Sequence, residues 1–191
     1  LLDFIMRKLK KLFLVLSVLL LISCAVKVRT VTDSFYGTEH YRTDNMTMSG
    51  WGWEIRLRFV AAKNPNVILV MAYYSSENSF DISANDSIVL RFGDNIFLNL
   101  EYTSNAPTVY TSDTYYSGSS YNYGYYTSHY GTSYRYTLYT IDSSARVDND
   151  IGDLTAIRIE NSRGYKNLDV KPSFAKTFQK AYNDIKNKIN E

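Results

Sequence analysis

The densest concentration of groups able to do chemistry lies between Tyr110 and Tyr139, where eleven of thirty residues are tyrosine. Serine, threonine, glycine and asparagine fill most of the intervals, and Asp113, His129 and Arg135 are the other charged or titratable side chains. A tyrosine supplies rigid apolar area and a hydroxyl for few rotatable bonds, while Ser and Gly spacers let the backbone adapt. Such rings stack on sugar faces or other aromatics, and their hydroxyls make directional hydrogen bonds. Tyr115, Tyr116, Tyr121, Tyr123, Tyr125, Tyr126 and Tyr130 are therefore candidate ligand-binding residues. The competing reading is an inert low-complexity hairpin tip, because the segment lacks the aliphatic side chains a core requires.

A second cluster, Asp148-Asn149-Asp150-Ile151-Gly152-Asp153, gathers hard carboxylate oxygens of the kind calcium prefers. Asp148, Asp150 and Asp153 are a weak calcium candidate, since a calcium-binding EF-hand loop wants glutamate at its twelfth position and Ile159 stands there. The stretch reads better as an Asp/Asn-rich turn ahead of a strand at Leu154, and no metal or other cofactor is implied. For catalysis there are two histidines, His40 and His129, both in polar surroundings. No Gly-x-Ser-x-Gly elbow, His-Glu-x-x-His pair or phosphate-cradling glycine loop occurs. The enzyme alternative is a hydrolase that pairs one of these histidines with a serine only in three dimensions.

The elements that must position these groups are mostly strands. Val26 to Thr32 alternates, and Ser34 to Gly50 is polar and aperiodic, which predicts a strand and then a loop. From Trp51 to Phe59, Trp51, Trp53, Ile55, Leu57 and Phe59 share one face, opposite Glu54, Arg56 and Arg58, so both tryptophans are expected in the core. Lys63 to Asn66 reads as a turn, Val67 to Tyr74 as a strand buried on both faces, and Ser79 to Ser83 as a short strand. Ser87 to Phe92 and Asn95 to Tyr102 alternate around Gly93-Asp94 and predict a hairpin. Further strands are expected at 108–115, 133–141, 154–160 and 165–170.

The period changes after Pro172. Phe174, Phe178, Ala181, Tyr182, Ile185 and Ile189 form a helical stripe, with most lysines off it, so a helix over 172–190 should pack on the sheet. About nine short strands followed by one helix argue a mainly β domain, an antiparallel sandwich or barrel with a C-terminal helix. A lipocalin-like small-molecule carrier is a further alternative. Gly50-Trp51-Gly52-Trp53 departs by one residue from the Gly-x-Trp of that family, and no strand follows the helix.

Where the protein resides is written in residues 6–24. A cationic head (Arg7, Lys8, Lys10, Lys11) leads into an apolar run from Leu12 to Leu21, closed by Leu21-Ile22-Ser23-Cys24. The run falls short of the roughly 20 apolar residues a membrane span needs, so it reads as a secretory leader. Leu21-Ile22-Ser23-Cys24 resembles the lipobox of bacterial lipoproteins. The resemblance implies diacylglycerol on the Cys24 thiol, cleavage after Ser23 and acylation of the new amino terminus. Two or three acyl chains make release from a bilayer negligible, since each buried methylene adds about 0.8 kcal/mol. Ala25 in place of aspartate implies the outer membrane of a double-membrane bacterium.

On that reading residues 1–23 are removed, with Leu1 to Ile5 upstream of a natural start at Met6, and 24–50 hold the lipidated N-terminus and first strand. Residues 51–191 are a single β-rich domain. Four of the 21 basic and one of the 19 acidic residues precede Cys24, leaving 17 against 18. A near-neutral surface excludes nucleic acid as a partner. With its only cysteine lipidated the chain has no disulfide and no cysteine nucleophile. The expected role is a membrane-anchored envelope binding or structural module, whose partner is a glycan, peptidoglycan or another envelope protein.

Overall fold

The computed structural model describes residues 26–32, 38–79, 81–93, 96–104, 106–115, 118–122, 125–129, 133–148 and 150–191, with backbone alone over 113–136. Cys24 and the leader predicted over residues 1–23 lie outside the described residues. The strands are β1 (Val28–Thr32), β2 (Glu39–Thr43), β3 (Met46–Gly50), β4 (Trp53–Ala62), β5 (Val67–Ser76), β6 (Ser87–Phe92) and β7 (Ile96–Tyr102). They continue as β8 (Thr108–Tyr115), β9 (Gly118–Asn122), β10 (Tyr125–His129), β11 (Ser133–Arg146), β12 (Leu154–Asn161) and β13 (Gly164–Asp169). Helix α1 (Pro172–Asn190) closes the chain.

Eleven strands form one antiparallel sheet ordered β1-β2-β4-β5-β11-β7-β6-β12-β13, with β3 also on β4 and β8 also on β11. The mainly β class and the C-terminal helix agree with the sequence reading, but the sheet is not closed and is neither a nine-strand sandwich nor a barrel. The strand count rises because β2 and β3, and in the tyrosine-rich segment β9 and β10, are additional to the strands predicted from the sequence. β2 and β3 lie end to end along β4, interrupted at Asp44-Asn45, and β7 and β8 follow one another along β11. The predicted loop over 34–50 thus contains β2 and β3, whose alternating Tyr41, Thr43, Met46 and Met48 are buried.

The sheet curls around α1 instead of closing on itself. Pro172 occupies the first helical turn, where its missing N–H leaves no bond unmade. The six apolar residues of the predicted stripe are the helix residues that are buried. The Phe178 ring is 4.8 Å from Phe59 on β4 and 5.9 Å from Phe92 on β6, so one side chain joins the two halves of the sheet. At the far end β13 bends back until the Lys166 ammonium is 5.3 Å from the Trp53 ring. Ile55, Leu57, Phe59, Ile88, Leu90, Ile157 and Ile159 complete this inner layer with almost no exposure.

Three local expectations differ. Trp51 is fully exposed, because the chain reverses at Trp51-Gly52 (Gly52 φ 71°) and the alternating strand begins only at Trp53. β5 is buried on one face and half-buried on the other, where the Arg58 guanidinium reaches the Met71 sulfur at 3.7 Å and Arg56 lies 5.2 Å over Tyr73. Long arginine stems shield that face while their charges stay in water. Residues 81–83 form no strand. Instead Ser162 donates its backbone N–H to the Asp81 carbonyl, and Arg163 pairs with the Asp81 carboxylate at 2.9 Å.

Candidate functional site

The tyrosine-rich segment folds as an arm that leaves the sheet. Tyr139 to Arg146 of β11 pair with β5, whereas Ser133 to Leu138 pair with β8 alone among the described residues. β9 and β10 then form a separate two-stranded hairpin. The ribbon departs where β5 ends at Ser76, and six residues of β11 beyond that point span about 20 Å at 3.3–3.4 Å per residue. Tyr115 ends β8 opposite Ser133, Tyr121 faces Tyr126 across the hairpin, and Tyr125 faces Asn122. Tyr116, Tyr123 and Tyr130 lie outside the described residues. At the base of the arm Val109 and Tyr110 are more than half exposed.

The acidic cluster is drawn apart by ion pairs of its own. Asp150 accepts hydrogen bonds from the Lys186 ammonium and, at 3.1 Å, from the Tyr182 hydroxyl, both on α1. The Lys186 bond, and after it the Tyr182 bond, holds the Asp150 carboxyl below the usual carboxylate range, and the same bond raises Lys186. Burial, then the bond to Asp150, pushes the Tyr182 phenol up. Asp148 pairs with Arg146 at 2.7 Å, and the Asp153 carbonyl accepts from the Gly93 N–H at 3.0 Å. Among the described residues no three His, Cys, Asp or Glu side chains converge on a metal-sized space. Asp150 is tied to the helix by the two bonds from Lys186 and Tyr182.

His40 sits on β2 between Val31 and Ala62, with no hydrogen-bonded serine among the described residues. His129 is the last residue of β10, opposite Gly118. No helix among the described residues is long and apolar enough to cross a membrane.

The strand pairing creates a further site that the sequence reading missed. On the outward face of β7, β6, β12 and β13, Phe97, Arg91, Ala156 and Asp169 stand side by side in one row. Asn99, Val89, Arg158 and Asn167 form the next. Because Val89 and Ala156 are short and their neighbours long, a groove of about 880 Å³ opens between them, within the range of small-molecule sites. Arg91 donates from Nε to Thr155 Oγ1 at 3.1 Å, and Arg158 from Nε to Asn167 Oδ1 at 3.0 Å. Arg158 also lies 4.2 Å over the Tyr165 ring, and its Nη1 is 3.9 Å from Glu160. The strands beneath are knit together by the half-buried Tyr102, whose hydroxyl donates to the Glu160 carbonyl at 2.6 Å and sits 3.3 Å from that of Ser87. Burial raises its pKa well above the usual phenol value.

Comparison with family models, with curated proteins and with solved structures finds no match for this chain. Function must therefore be argued from the site itself. The groove left one sequence signal: in the alternation of 96–102, Phe97 is a large apolar residue on the face meant for solvent. It is 58% exposed.

Proposed function

We propose that this protein is a lipid-anchored component of a bacterial cell envelope, resident on the outer membrane, that works as a binding or structural module. The observation that carries the reading is the run from Met6 to Cys24: basic head, short apolar core and Leu21-Ile22-Ser23-Cys24. Only three residues separate Cys24 from β1, about 10 Å of extended chain, so lipid on that sulfur would hold the sheet close to the bilayer. The space that a small-molecule carrier would keep for cargo is taken by Phe178, Ala181 and Ile185 of α1, which favours contact with a partner through the outer surface. The ribbon of β8 and β11 and the β9–β10 hairpin supply one such surface, offered to a glycan, peptidoglycan or another envelope protein.

The address is tested by substituting Cys24→Ser in the native host. The variant should lose the lipid mass from its intact-protein spectrum and move out of the membrane fraction, and a variant that stays membrane-bound at unchanged mass would overturn the anchor. Deleting residues 117–133 tests the arm. The rest of the fold should survive with an unchanged melting temperature while co-purification of an envelope partner is lost; retention of that partner would leave the arm without a role.

A further inference from the structure

The outward groove has a composition that restricts what can fill it. Its charged lining consists of two arginines, Arg91 and Arg158, and two carboxylates, Glu160 and Asp169, which cancel. A polyanion would meet the carboxylates, and a polycation the arginines. Beneath its centre β6 and β12 are paired on both sides, so a ligand lying over them must be read by side chains. An extended peptide would instead take a free strand edge, which lies at the rim on β13 and away from Arg91 and Val89.

What the side chains offer is a close mixture of donors (both guanidinium groups), acceptors (Glu160 and Asp169) and groups that are both (Asn99 and Asn167). Each arginine is tethered through Nε to a neutral oxygen, which fixes the plane of its remaining fork before a ligand arrives. Phe97 adds an exposed ring on the same row as Arg91. An uncharged polyhydroxylated ring matches all of this, since its hydroxyls donate and accept in turn and its C–H face stacks on an aromatic. We infer that the groove over β7, β6, β12 and β13 is a binding site for a neutral oligosaccharide, with Arg91, Arg158 and the two asparagines reading hydroxyls beside the Phe97 ring. The inference rests on the binding-module reading and names its ligand class, at a surface separate from the tyrosine-rich arm.

The test titrates the full chain, purified in mild detergent, with chitotetraose, cellotetraose and maltotetraose by calorimetry, together with an acidic and a basic decapeptide. At least one oligosaccharide should bind saturably. Its affinity should change less than about twofold between roughly 0.1 and 1 M salt, where charge-driven binding collapses. Phe97→Ala and Arg158→Ala should each weaken it by about tenfold or more at unchanged melting temperature. Arg158→Lys, which keeps the charge and loses the fork, should fall between wild type and Arg158→Ala. Deleting 117–133 should leave it unaltered. The inference is overturned if none of the three sugars binds, if only a peptide binds, or if sugar binding survives both groove substitutions. Sugar binding abolished by the arm deletion alone would also overturn it, while leaving the binding-module reading standing.

Discussion

The two faces of β6 and β12 are made by alternate residues of the same strands and have opposite characters. Inward, Ile88, Leu90, Ile157 and Ile159 are excluded from water and meet a layer that contains the Phe178 ring. Outward, Val89, Arg91, Ala156 and Arg158 meet no covering element among the described residues, and a groove remains. Burying an apolar side chain contributes about 1.5–3 kcal/mol, whereas exposed pairs such as Arg158 with Glu160 contribute 0–1 kcal/mol at most. The inner face therefore carries the stability, and the outer face can vary at little cost to the fold.

The contrast is broken most directly from the inside. Phe178→Ala would empty the contact between the two halves of the sheet and should cost about 3–5 kcal/mol in urea unfolding. A loss below 1 kcal/mol would mean that the helix is not what holds the curl. Gly50→Ala comes next. A methyl there would stand 2.4 Å from the Trp53 ring nitrogen, and the forced shift should cost about 1–3 kcal/mol. An unchanged melting temperature would show that Trp53 is free to swing away.

A pH series sharpens the comparison at the helix. The Asp150 carboxyl is held below its unfolded value, near 3.9, so its bond to Lys186 stabilises the fold above that pH and is lost as pH falls through the folded value. The raised Lys186 works the other way: its share is present below the unfolded lysine value and lost as pH rises through the folded one. Asp150→Asn should therefore flatten the decline in melting temperature between about pH 5 and pH 2. An identical decline in the two proteins would mean that the pair contributes nothing to docking. The smallest effect is expected outside: Trp51→Ala should change stability by no more than about 0.5 kcal/mol, because its ring is fully in water. A larger loss would reveal a cover over the outer surface.

Legibility in the sequence followed the strength of each local pattern. The helix stripe from Phe174 to Ile189 and the β6–β7 hairpin around Gly93 are read correctly, because each has a period that a neighbour cannot change. β2 and β3 were hidden because only two inward residues mark each one, with Asp44-Asn45 breaking the alternation between them. Trp51 was misplaced because period two continues on paper through a two-residue turn that reverses the chain in space. The groove was almost illegible, since its rows draw one residue from each of four strands as far apart as Val89 and Asn167.

The order of residues alone determines the alternation of the longer strands, the buried stripe of α1 and the lipobox-like run Leu21-Ile22-Ser23-Cys24, because these depend on near neighbours along the chain. Tertiary structure decides which strand lies beside which, that the sheet curls around a helix without closing, and that two arginines and a phenylalanine from three strands border one hollow. Strand register and sheet curvature are set by contacts between segments distant in sequence. A single residue's type carries no record of which partner it will meet across the sheet.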